Sequence, residues 1–229
     1  MKTGDFEMEK QRTIHVKGTG TASVPPDYIT LTLELEAKNK DYGHAMRIGA
    51  QQVEMLQEAV KEVGFSVDDL KTVNFAVDSE YENEEYKEGG STKYRRVFVG
   101  YKCRHHLRLS FNMDTERLAD VMSAIGDSLA KPEISIAFTV KDTQKVRDMI
   151  LQSAAEDAKR KATILCKASG VELGDLLRIE YSWNELHIEH SFDMDLTCCE
   201  EEKLSAGSYD FHPDDIEAGD TVDFLWEIR

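Results

Sequence analysis

Cysteine and proline are scarce in these 229 residues, and no long apolar run occurs. The four cysteines, Cys103, Cys166, Cys198 and Cys199, form no C-x-x-C pair, which argues against a zinc ribbon or a disulfide scaffold. Adjacent Cys198 and Cys199 could close only a strained vicinal bridge. The expectation is reduced thiols in a reducing compartment. Only four prolines are present, too few for long disordered linkers. Nowhere do about 18 consecutive apolar residues occur, so no transmembrane helix is expected. The opening residues, MKTGDFEMEKQRT, lack the apolar core of a secretory signal. As written, the chain therefore reads as cytoplasmic, and as periplasmic or envelope-bound if an export signal has been removed. G-x-S-x-G and the P-loop Lys-Ser/Thr pair are also missing.

What the chain has in excess is acid. Lys plus Arg number 28 against 44 Asp plus Glu, a formal net charge of −16. A surface of that sign repels a phosphate backbone, so nucleic acid is not an expected partner. Glu185 to Asp220 carries twelve acidic residues against the single base Lys203, which concentrates −11 of the total in one late segment. Elsewhere the balance is ordinary, and 41% hydrophobic residues suffice for a large core.

Periodicity divides the chain into strands and helices. Residues 12–20 read as a strand. Val24-Pro25-Pro26-Asp27 is a break, because proline cannot donate to a ladder. Residues 28–38 alternate Ile29, Leu31, Leu33 and Leu35 with polar side chains. These two strands together suggest a β-hairpin. Asp41 can cap a helix to about Val63, with Ala45, Ile48, Val53, Leu56, Ala59, Val60 and Val63 near one stripe, ended by Gly64. Strands follow at 70–81 and 96–112, joined by the charged stretch ENEEYKEGGSTK, which reads as a mobile tip. A short helix from Asp114 or Thr115 should stop at Gly126, and Ile134–Val140 alternates as a strand. The longest helix spans 142–169, with Val146, Met149, Ile150, Ala154, Ala158, Ala162 and Leu165 inward and Gly170 at its end. Strands at 176–183 and 221–228 flank an acidic loop at about 185–219. The reading is α+β: a mostly antiparallel sheet with long helices packed on one face. A strand pair after each long helix suggests a weak internal duplication. Residues 1–11 form a tail and 12–229 one domain.

Several ordered pieces resemble a known family. Ala154, Asp157, Ala158, Lys161 and Ala162, followed by Gly170 and Leu173-Gly174, look like the signature helix of the SIMPL-domain family, the YggE-like proteins. Pro26-Asp27 before an alternating strand, Thr72 with Phe75 ahead of a hairpin, and Gly100-Tyr101 entering the return strand resemble it too. The resemblance spans roughly residues 12–229. It implies an α+β fold, no established catalytic activity and no catalytic residue to carry over. It also implies that many relatives are exported to the bacterial periplasm or envelope, and that the group is associated with oxidative-stress protection. The missing export signal and the acidic loop with two cysteines depart from the pattern.

Gly18-Thr19-Gly20 raises the question of a phosphate cradle. A dinucleotide fingerprint needs a third glycine and a helix start, and here Ser23 and Pro25-Pro26 stand instead. His187-Ile-Glu-His190, with Asp193 and Asp195, is the metal-like cluster of the chain, though its spacing is neither H-E-x-x-H nor that of a calcium loop. His105 and His106, adjacent on a strand, should point to opposite faces. Cys103 and Cys166 should be buried thiols. Lys159-Arg160-Lys161 reads as the solvated part of a helix. The sequence therefore favours a non-enzymatic protein without cofactor, acting through self-association or protein partners, with a stress-related role as the expectation from the resemblance. Metal or small-ligand binding through 185–220 is the alternative, and an unrecognised hydrolase the third reading.

Overall fold

A computed structural model describes residues 12–88, 91–182, 189–194 and 211–229. The tail at 1–11 lies outside these residues. The described chain forms two compact units. No helix in it is long and apolar enough to cross a membrane.

The first unit is a three-stranded antiparallel sheet with one helix. Its strands are β1 (Thr13–Val24), β6 (Leu173–Glu180) and β8 (Ile216–Ile228), in the order β1-β8-β6. The helix α3 (Thr143–Ser169) buries Val146, Ile150, Ala154, Ala158, Ala162 and Cys166. These lie four apart, so the contact follows an i±4 ridge inclined to the helix axis, and the twisted sheet beneath accommodates that tilt. Met149 and Leu165, expected inside, are therefore about half exposed, and Cys166 takes the inward place.

The second unit is a five-stranded antiparallel sheet, β3-β4-β2-β5-β7. It contains β2 (Tyr28–Asn39), β3 (Lys71–Glu88), β4 (Ser91–Asn112), β5 (Glu133–Thr139) and β7 (Glu189–Met194), with helices α1 (Tyr42–Glu62) and α2 (Thr115–Asp127). Leu56 and Val60 of α1 and Leu118, Val121 and Ile125 of α2 pack with the inward residues of β2, β4 and β5, among them Leu31, Leu33, Leu109 and Ile136. The opposite face of the sheet is polar, with Glu36–Lys102 at 2.8 Å and His106–Glu34 at 3.3 Å across its strands. Gly49, not Ile48, faces inward on α1, because a Cβ there would come within 2.9 Å of the Cys103 Sγ.

The α+β class stands, and the duplication has a definite form. In the second unit β2, α1, β3 and β4 give the order β3-β4-β2. In the first, β1, α3, β6 and β8 give β6-β8-β1. Strand, helix and antiparallel pair thus recur with the same pairing, one copy inserted between the first strand and the helix of the other.

Four expectations are corrected. β1 and β2 do not form a hairpin: β1 pairs with β8, and β2 with β4 and β5. Alternation identifies a strand but not its partner, and Pro25-Pro26 instead carries the chain from one sheet to the other. Asp27 is then fixed in the second sheet, its N–H donating to the Thr139 carbonyl at 3.1 Å while its carbonyl accepts from Met113 at 2.9 Å. Gly126 does not stop α2, which runs to Asp127 and ends where Ser128 Oγ donates to the Ile125 carbonyl at 2.7 Å. One helical glycine costs about 1 kcal/mol, too little to end a packed helix. The charged tip is strand as far as Glu88 and again from Ser91. Cross-strand pairs such as Glu84–Arg95 at 2.6 Å extend the ladder there. Ile216–Asp220, within the segment read as an acidic loop, forms the start of β8.

Gly18 and Gly20 sit beneath α3 within the first unit. A Cβ on Gly18 would overlap the Ala154 carbonyl oxygen and lie 2.8 Å from the Ala158 Cβ; one on Gly20 would overlap the Ile150 carbonyl oxygen. Only hydrogen fits between these two backbones. Gly20→Ala should therefore destabilise the protein by about 3 kcal/mol, the upper end of overpacking costs. Thr19→Ala, between the two glycines, should cost less than about 1 kcal/mol. Chemical denaturation monitored by circular dichroism measures both, and a neutral Gly20→Ala would remove the close approach.

Candidate functional site

The signature residues of α3 converge on the Gly18-Thr19-Gly20 stretch. Ala154, Ala158 and Ala162 are fully buried and supply the small surface that lets the helix approach β1. Asp157, on the same helix, accepts the Thr19 backbone N–H at 2.9 Å. Lys161 lies 2.6 Å from Asp157 and donates to the Lys17 carbonyl at 3.3 Å. Ser153 Oγ accepts from the Thr21 N–H at 3.4 Å. Arg160 closes on Asp157 from the other side.

These contacts satisfy backbone groups on the side of β1 that faces away from β8. β1 is the outermost strand of its sheet, and an open row of N–H and C=O groups invites pairing with another chain. Here α3 side chains occupy that row. The Lys161 ammonium, the Thr19 N–H and the Arg160 guanidinium together hold the Asp157 carboxyl down at about 2. The arrangement clamps a helix to a strand edge. In the Lys159-Arg160-Lys161 stripe, Lys159 and Arg160 are exposed, as the solvated reading expects, and Arg160 and Lys161 also engage Asp157.

The other sequence candidates separate. His105 and His106 do point to opposite faces: the His105 ring packs against Phe75 in a tilted arrangement at 4.5 Å beside Gly49, and His106 pairs with Glu34. Burial lowers the His105 pKa, and its Nδ1 is buried without a hydrogen-bond partner. Cys103 and Cys166 are free and buried, and burial raises the Cys103 thiol pKa. His190 and Asp193 fall on β7, whereas His187, Asp195, Cys198 and Cys199 lie outside the described residues. Among the described residues no three His, Cys, Asp or Glu side chains gather at metal-binding distance. A groove of about 250 Å³ between α1 and α2 is lined by Met55, Leu129, Glu58, Glu62 and Asp127, with the Ser128 at its side committed to the Ile125 carbonyl.

A feature missed from sequence lies on the β3–β4 hairpin. β2 pairs with β4 only from Tyr101 onward, so among the described residues Tyr81–Glu88 and Ser91–Phe98 pair only with each other. Along this two-stranded ribbon runs an aromatic row. Tyr42 of α1 meets Tyr101 at 5.3 Å, Tyr101 meets Phe98 at 5.2 Å, and Phe98 meets Tyr81 at 5.6 Å, all edge-on. Arg96 lies 4.5 Å over the Tyr81 ring. Tyr81 is 45%, Phe98 44% and Tyr94 69% exposed. The signal was present in Tyr81, Tyr94 and Phe98 on either side of Gly89-Gly90, but it was hidden by reading the charged stretch as a loop.

A family model described as SIMPL, protein of unknown function (DUF541), matches residues 14–224. The chain belongs to the SIMPL family. A relative from Edwardsiella ictaluri (strain 93-146), named uncharacterized protein YggE, is 28% identical over 173 residues, covering 73% of this chain and 67% of the relative. The family match over residues 14–224 takes in both the clamp on α3 and the aromatic ribbon.

The clamp has a measurable pH signature. A carboxyl depressed from 3.8 to about 2 in the folded state contributes stability that is fully present above pH 3.8 and is lost as pH falls toward 2. Asp157→Asn should lower the thermal midpoint near neutral pH. The gap to the native protein should stay constant above the unfolded pKa and close as pH falls to about 2. Thermal melts from pH 2 to 7 test this, and a gap unchanged throughout would assign Asp157 no charge role.

Proposed function

We propose that this SIMPL protein acts by association, through self-assembly or protein partners, and not by catalysis. The observation that carries the reading is the uncovered aromatic row on the β3–β4 ribbon. Isolated two-stranded ribbons are marginal in water, and exposed aromatic rows rimmed by polar residues mark interaction surfaces. Tyr and Arg, both present on this face, are the side chains that most often dominate protein interfaces. A place for such an assembly in a stress response is read from the family resemblance alone.

Multi-angle light scattering across a wide concentration range should show a rising mass. Tyr81→Thr combined with Phe98→Thr keeps strand propensity and removes the row. If these rings anchor the contact, the variant should associate roughly thirtyfold more weakly, the equivalent of one hot spot of about 2 kcal/mol. A native protein that stays monomeric and captures no partner would defeat the reading.

A further inference from the structure

We infer that β6 is a pairing edge for a second copy of this chain, joined antiparallel about a two-fold axis at Ile179. This rests on the association reading above and assigns it a surface in the first unit.

The two edges of the three-stranded sheet are treated differently. On β1, Asp157, Ser153 and Lys161 occupy the outward backbone groups. Among the described residues β6 is the opposite edge, and there Leu176, Leu177 and Ile179 are 47%, 40% and 54% exposed. An apolar edge strand of this kind is a template for another strand.

Charges on an edge normally repel a second strand, and β6 carries Arg178 and Glu180. Their placement changes the outcome. They flank Ile179 with opposite sign and sit 3.1 Å apart in one chain. An antiparallel copy centred on Ile179 sets Arg178 of each chain opposite Glu180 of the other, twice, with Ile179 against Ile179 at the axis. Directly opposed residues share a face, so both ion pairs form on one side of the joined sheet. Moving the centre one residue to Arg178 opposes Arg178 to itself, and moving it to Leu177 opposes Glu180 to Gly174. A one-residue slip also turns every side chain to the other face. The strand is thus self-complementary in one register, as a two-fold interface requires.

Charge reversal tests the register. Arg178→Glu alone and Glu180→Arg alone each replace two opposite-charge pairs by two like-charge pairs, and should weaken association roughly tenfold or more. The double exchange Arg178→Glu/Glu180→Arg should restore it to within about threefold of the native protein. Ile179→Lys, at the axis, should also weaken it strongly. Sedimentation velocity at several concentrations reads the association, and thermal melts confirm that these exposed substitutions leave the fold intact. Weakening in the double exchange equal to that in the single variants would overturn the register. Association unchanged by all four variants would overturn the β6 edge and leave the association reading standing. A native protein monomeric at every concentration would overturn the β6 pairing, and the association reading would fall with it only if the protein also captured no partner.

Discussion

The contact between α3 and the backbone of β1 governs the first unit, because at that distance nothing but hydrogen can stand at Gly18 and Gly20. A helix normally rests on a sheet through side chains. Here the carbonyl oxygens of Ile150 and Ala154 sit where a Cβ would be. The alanines at 154, 158 and 162 follow as a consequence, since a larger group at those positions would lift the helix. Such proximity in turn brings the next ring of helix side chains to the strand edge. Asp157, Ser153 and Lys161 then meet main-chain groups of Lys17, Thr19 and Thr21 that would otherwise be open to a competing strand. The glycines, the alanines and the charged pair are one device.

That device explains which parts of the fold were legible. Elements whose identity rests on local periodicity were readable: the alternation in β2, the long α1 and α3, and the buried positions of Cys103 and Cys166 all follow from the pattern of one segment. Pairing depends on residues far away. β1 reads as a strand, but its partner β8 lies some 200 positions on and is named by nothing in residues 12–20. The same limit concealed the purpose of Gly18-Thr19-Gly20. The sequence could reject a phosphate cradle, because no helix starts there. It could not show that a distant helix needs the missing side chains. The signature Ala154, Asp157, Ala158, Lys161 and Ala162 looked like a mark of kinship, and its physical meaning appears only when its partner strand is beside it.

The misread charged stretch has a different cause. Residues 81–88 combine acidic side chains with two tyrosines, and acidic residues are depleted in strands as a rule. What decides the matter is the opposite strand. Arg95 answers Glu84, and Arg96 covers Tyr81. Cross-strand pairing therefore supplies what single-strand propensity lacks. The aromatic row continues along the same ribbon beyond the point where β2 ends, so the face that α1 covers nearer the body has no cover farther out among the described residues.

The first unit shows why an uncovered edge carries information of its own. The same three-stranded sheet guards β1 with three side-chain contacts and leaves apolar side chains exposed along β6. Edge protection is a general requirement for a monomer, because the unpaired backbone groups are identical in kind on both sides. A chain that meets the requirement on one edge has the means to meet it on the other: a lysine in place of Ile179 would suffice. Instead the strand places an isoleucine between an arginine and a glutamate. In the pairing proposed above, this pattern matches its own antiparallel copy. Selectivity of that kind combines an attractive register with unfavourable alternatives, and it needs no residue beyond Arg178, Ile179 and Glu180.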